Sequence, residues 1–217
     1  ARLRPASVDT NLTAAVAAFE VDRPLAGVDY LRAALTQVRR PVPDELIAFL
    51  TASIPEPRQL AALAPEDPEA WAALAWALIE PAPAYARALA VARTSSHPDD
   101  PEPLRVQTRL ALARNNPGLA LHHARMWIAM EPERAEAHRL RAQARLAQRE
   151  RNPEQLATAI AELEAALKAG VDDPGSVEEF LVRCLKRSDN IFALGLTLGL
   201  VCGAGDIRLN RDGNFRM

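Results

Sequence analysis

Apolar residues recur at helical spacing through most of the chain. In PEAWAALAWALIE, from Pro68 to Glu80, the residues Trp71, Leu74, Ala75 and Leu78 stand three and four apart, which places them on one face of a helix. Ala159, Leu163 and Ala166 repeat that spacing, and Val177, Phe180 and Cys184 do the same on a later segment. Prolines punctuate these runs. Pro65, Pro98 and Pro132 are 33 and then 34 residues apart, and each is followed three residues later by a new helix-like run. Two helices and a turn fill such a period, the dimension of a helix-pair repeat that stacks into an α-solenoid.

The clearest period is 101–134. It predicts a helix from about Glu102, a turn at Asn115-Asn116-Pro117-Gly118 and a second helix that ends before Pro132. Here the chain resembles the tetratricopeptide repeat family. Units of that family carry a bulky residue early in the first helix, a small residue four positions later, alanines in the second helix and a closing proline. Leu104, Thr108, Ala120 and Pro132 occupy those places. In 68–100 the matching residues are Trp71, Leu74, Ala75, Leu78, Ala86 and Pro98, the most specific stretch. Unit 135–173 offers His138 and Ala142, but it has Arg141 and Arg145 where the family has apolar residues, with extra residues around Arg149 to Pro153.

The frame extends both ways. Backward it gives 7–40, with Leu12, Val16 and Phe19 in one helix and Ala26, Tyr30 and Ala33 in the next, and then a shortened unit 41–67 broken by Pro55 and Pro57. Forward it gives 174–205, whose second helix would carry Ala193, Thr197 and Leu200, with Gly195, Gly199 and Gly203 four apart. The alternation Phe192, Leu194, Leu196, Leu198, Leu200 reads equally as a strand. The resemblance therefore implies an all-α, right-handed superhelical solenoid of antiparallel helix pairs over residues 1–205. A non-helical tail follows at 206–217, where Asp212-Gly213 between short alternating stretches signals a hairpin.

Composition agrees with helices: 49% of residues are apolar and only 5% aromatic. The net charge of −2 supplies no global field for nucleic acid or an anionic membrane. The balance is uneven, however, with 3 basic and 9 acidic residues in 41–100 but 10 and 5 in 101–151. That island is entirely arginine, and Lys168 and Lys186 are the two lysines of the chain. With Trp127 as its sole aromatic and no recognised motif, it does not read as a nucleic-acid surface. The longest apolar run, Ile191 to Ala204, is too short to span a bilayer. Cys184 and Cys202 sit in apolar runs and read as buried thiols, with a single bridge open in an oxidising compartment. A start at Ala1 leaves the compartment open between cytoplasm and, after a cleaved signal, periplasm.

Catalytic chemistry has little foothold. Ser95, Ser96, His97, Asp99 and Asp100 contain the residue types of a hydrolase triad, but they crowd one turn, and Asp99 or Asp100 reads better as a helix start. Glu178 and Glu179 read as first-turn carboxylates on a helix dipole. His122 and Met126, four apart, make two ligands and not a metal site. No phosphate loop, dinucleotide fingerprint or zinc-protease motif is present. No catalytic residue, metal or cofactor is expected.

In the tetratricopeptide family the first helix of each pair lines a concave groove. The resemblance transfers that role to Trp76 and Ile79, to Arg105, Arg109 and Leu112, and to Arg139, Gln143 and Leu146. Guanidinium groups near an aromatic wall favour an acidic or C-terminal peptide. The family's carboxylate clamp of lysines and asparagines is not reproduced here, and the arginines also suit a solvated face paired with Glu102 or Glu136. The expected function is a non-catalytic protein-interaction scaffold. Alternatives are a regulatory or oligomerisation arm of a larger enzyme, or an assembly factor of the bacterial cell envelope. Self-association into a homo-oligomer is compatible with each.

Overall fold

The computed structural model describes residues 7–148 and 153–187, together with the backbone of 208–209 and 215–216. The described chain is all-α in its body, with eleven helices among the described residues: α1 (Val8–Glu20), α2 (Pro24–Leu35), α3 (Asp44–Ser53), α4 (Pro57–Leu63), α5 (Pro68–Ala77), α6 (Pro83–Ser96), α7 (Glu102–Ala113), α8 (Pro117–Met130), α9 (Ala135–Gln148), α10 (Pro153–Ala169) and α11 (Pro174–Arg187). A two-residue antiparallel ladder follows, β1 (Arg208–Leu209) on β2 (Phe215–Arg216), with Leu209 opposite Phe215. The ladder lies where the sequence signals a hairpin, and Asp212-Gly213 itself lies outside the described residues. The second helix expected in 174–205, its strand alternative and Cys202 lie outside the described residues.

Proline sets where helices begin. Pro24, Pro57, Pro68, Pro83, Pro117, Pro153 and Pro174 each open a helix. The first helical position needs no N–H, and the fixed φ of proline suits it. Side chains complete the caps: Asp67 accepts from the Ala70 N–H at 3.1 Å, and Asn116 from the Leu119 N–H at 3.2 Å. Asp100 accepts from the Glu102 N–H at 3.0 Å, the capping role expected for the 99–100 pair. Asp173 does the same for Ser176 at 3.1 Å. Because α11 begins at Pro174, Glu178 and Glu179 fall in its second turn, not its first; Glu179 pairs along the helix with Arg183.

The chain divides into two compact units, residues 1–110 and 111–217. The first has one continuous core. Leu31, Leu35, Leu46, Leu50, Leu60, Trp71, Leu74, Leu78 and Leu89 are all fully buried. Tyr85 on α6 donates its hydroxyl to the Ile54 carbonyl at the end of α3. Arg93, 6% exposed near the end of α6, donates to the Glu66 carbonyl just before α5 at 3.1 Å and pairs with Asp100 at 2.8 Å. Its guanidinium also lies 5.5 Å from the Trp71 ring centroid. The end of α6 therefore meets the start of α5, and the two helices run antiparallel.

In the first pair the buried face lies one position off the residues that the repeat frame picks out. On α1 the buried residues are Asn11, Ala15 and Ala18, one position before Leu12, Val16 and Phe19. On α2 they are Gly27, Leu31, Ala34 and Leu35, one position after Ala26, Tyr30 and Ala33. Phe19 is 37% and Tyr30 44% exposed. Small residues are the reason. Ala15, Ala18 and Gly27 let the two backbones approach closely, and the Phe19 ring lies over Gly27, where a Cβ would stand 2.7 Å from it.

The second unit is packed on alanine. Ala120 and Ala124 of α8, Ala142 and Ala144 of α9 and Ala159 of α10 are fully buried, beside Leu163, Val177, Leu181 and Cys184. Asp172, beyond α10, returns to the head of α9. Its N–H donates to the Glu133 carbonyl at 2.8 Å, and its carboxylate accepts from the Ala135 N–H at 2.8 Å and pairs with Arg134 at 3.0 Å. α9 and α10 are thus antiparallel, closed by the same kind of contact as α5 and α6. Among the described residues no helix is long and apolar enough to cross a membrane.

Candidate functional site

In the first unit the expected groove residues converge on Trp76. This indole is partly buried near the end of α5. Arg105 and Arg109, four apart on one face of α7, place their guanidinium carbons 4.4 Å and 4.9 Å from its ring centroid. A third guanidinium, from Arg40, lies at 5.1 Å. Each distance is within the range where a cation is attracted by the ring quadrupole. The Trp76 ring therefore carries cations over it instead of standing as a bare apolar wall. Its Nε1–H is buried and has no hydrogen-bond partner among the described residues.

Arg40 reaches this position through its neighbour. Arg39 pairs with Asp67 at 3.1 Å and Glu69 at 3.3 Å, both at the head of α5, which fixes the segment between α2 and α3 against that helix. The repeat pattern carries no signal for Arg40, because the residue lies between helices and outside any periodic face. Arg105 is held by Glu102 one turn earlier, at 3.1 Å, the pairing expected for a solvated arginine. Ile79 lies past the end of α5, in the turn that precedes Pro81 and Pro83, and belongs to the core at 8% exposure.

In the second unit the expected residues have mixed surroundings. Leu112 packs beside Ala111, Ala120, Leu121 and Ala144, and Leu146 packs against the cluster that holds Ala142 and Leu163. Gln143 is exposed on α9. Arg139 is partly buried and makes no ion pair among the described residues. Its neighbours Arg141 and Arg145, which stand where the sequence resemblance leads one to expect apolar residues, meet Glu162 on α10. Arg145 embraces both carboxylate oxygens, with its Nε 2.7 Å from Oε2, and the Arg141 Nε lies 3.2 Å from the same oxygen. Burial lowers the pKa of Arg141, whereas the Glu162 hydrogen bond raises that of Arg145. Two arginines in apolar places were themselves the signal that a carboxylate must face them.

The histidines make local contacts. The His138 Nε2 lies 2.8 Å from the Pro132 carbonyl, while its buried Nδ1 has no partner among the described residues. Burial, and then the Arg141 charge, lower its pKa against the opposing pull of the carbonyl and Glu162. His122 and His123 meet edge to face at 5.4 Å, and burial followed by the His122 charge lowers the pKa of His123. His97 accepts or donates at 2.8 Å with Ser96 and approaches Glu66 at 3.8 Å. That chain does not form a triad: Glu66 is 91% exposed, its contact is beyond hydrogen-bond length, and Ser96 also reaches the Ala92 and Arg93 carbonyls. No group of three metal-ligating side chains occurs among the described residues.

Comparison of the chain with protein-family models, with curated proteins and with solved structures returned no match.

Proposed function

We propose that the chain is a non-catalytic interaction scaffold of tetratricopeptide-like helix pairs, stacked within each unit as in an α-solenoid, that holds an acidic segment of a partner protein. The observation that carries this reading is the convergence of the Arg105 and Arg109 guanidinium groups on Trp76, at 4.4 Å and 4.9 Å. Planar guanidinium groups bind carboxylates through paired N–H donors, and stacking on an indole fixes the plane in which those donors point. A preformed arrangement of this kind loses little conformational freedom on binding. Arg139 and Gln143 on α9 offer a second polar contact within the second unit.

The test compares the wild-type chain with Arg105→Glu/Arg109→Glu and, separately, Arg139→Glu in capture from native lysate, after circular dichroism has established equal helicity. Loss of a partner with the α7 variant is the expected result. Equal capture by the wild-type chain and both variants would overturn the role of these arginines.

A further inference from the structure

Arg40 differs from the other cations at Trp76. It belongs to the segment between α2 and α3, its side chain is exposed, and its only aromatic or charged contact among the described residues is the indole itself, at 5.1 Å. Its neighbour Arg39 is occupied by Asp67 and Glu69. Those two carboxylates therefore hold the backbone in place without neutralising Arg40. A guanidinium held over an indole face is attracted by the ring quadrupole while its N–H groups stay open to an incoming carboxylate, which can take two of them.

We infer that Arg40 contacts the partner: it receives an aspartate or glutamate side chain of an acidic segment, beside the Trp76 ring that it lies over. This inference rests on the scaffold reading above and adds a residue outside the repeat pattern. Charge complementarity selects the occupant, since an apolar or basic segment would leave the guanidinium unmatched at the contact. Replacing Arg40 removes a charge-assisted pair from an exposed connection and leaves the core residues in place.

The experiment uses the full chain and a blocked hexaglutamate peptide as probe, with blocked hexaglutamine as the uncharged control, read by calorimetry and by tryptophan fluorescence. The expected result is binding of hexaglutamate alone, weakened about tenfold by Arg40→Ala. Arg40→Lys should recover only part of that loss, since an ammonium keeps the charge without the planar fork. Wild-type binding that Arg40→Ala leaves unchanged would overturn the role of Arg40 and leave the proposal for Arg105 and Arg109 standing. Failure of the wild-type chain to prefer hexaglutamate over hexaglutamine would overturn both.

Discussion

Removing Glu162 should unbalance the second unit out of proportion to one side chain. Arg145, Arg141 and Glu162 are 14%, 17% and 22% exposed, so Glu162→Ala leaves two largely covered guanidinium groups without their carboxylate. Breaking a fully buried pair in this one-sided way costs about 3–5 kcal/mol, and a fully exposed pair contributes about 0–1 kcal/mol. At roughly one-fifth exposure the expectation is a loss of about 2 kcal/mol, which at a urea dependence of about 2 kcal/mol/M lowers the midpoint by about 1 M. The assay is urea denaturation followed by far-ultraviolet circular dichroism. The companion variant Arg141→Leu/Arg145→Leu/Glu162→Leu replaces the whole charged group by apolar side chains, and it should return to within about 1 kcal/mol of the wild type. A loss below about 0.5 kcal/mol for Glu162→Ala, or a triple variant no more stable than the single one, would refute the reasoning.

Three further outcomes are expected. The Asp172 pKa is lowered, first by the Ala135 N–H and then by the Arg134 hydrogen bond and charge, against an opposing effect of burial. Its contribution is therefore present above the ordinary aspartate range and is lost as pH falls through the depressed value; in thermal melts from pH 5 to 2, Asp172→Asn should lose less stability than the wild type. His138 titrates below its ordinary value, so the unfolded chain takes up the proton more readily and stability declines as pH falls below about 6.5. Nuclear magnetic resonance titration should place the His138 ring midpoint under that value, and a midpoint above it would contradict the assigned environment. Arg93→Ala should destabilise the chain by about 3 kcal/mol in urea denaturation, because it leaves Asp100 without its partner in a covered site; Arg93→Lys should not recover the full amount, since a single ammonium replaces a fork that serves Glu66 and Asp100 at once.

Helix existence was legible in the chain because its signals are local. The 68–80 run predicts α5 with Trp71, Leu74, Ala75 and Leu78 inward, and all four are buried. Leu104, Thr108 and Ala120, taken from the repeat frame, are buried as well. The face of the first pair was not legible, since the periodicity favours the bulkier residues while the α1–α2 contact selects the small ones. The repeat frame assigns Ile79 to the groove, but α5 ends at Ala77, ahead of the prolines at 81 and 83, and Ile79 is buried in the core. At the site, Trp76 with Arg105 and Arg109 could be named from the repeat frame. Arg40 could not, since its position depends on Arg39 meeting Asp67 and Glu69 across 28 and 30 residues of sequence. The Arg141–Arg145–Glu162 group was half legible: the arginines stood out, but which carboxylate they meet depends on how α10 lies along α9.

The return of Asp172 to the head of α9 bears on where the chain can be cut. A truncation at Gly170 keeps every residue of α9 and α10 yet removes the acceptor for the Ala135 N–H and the mate of Arg134, so the shortened product would fray at its inner end. A truncation at Asp173 retains that fastener for the cost of three residues. A portable form of the second unit therefore needs both the aspartate and α11, whose Val177, Leu181 and Cys184 fill the same core.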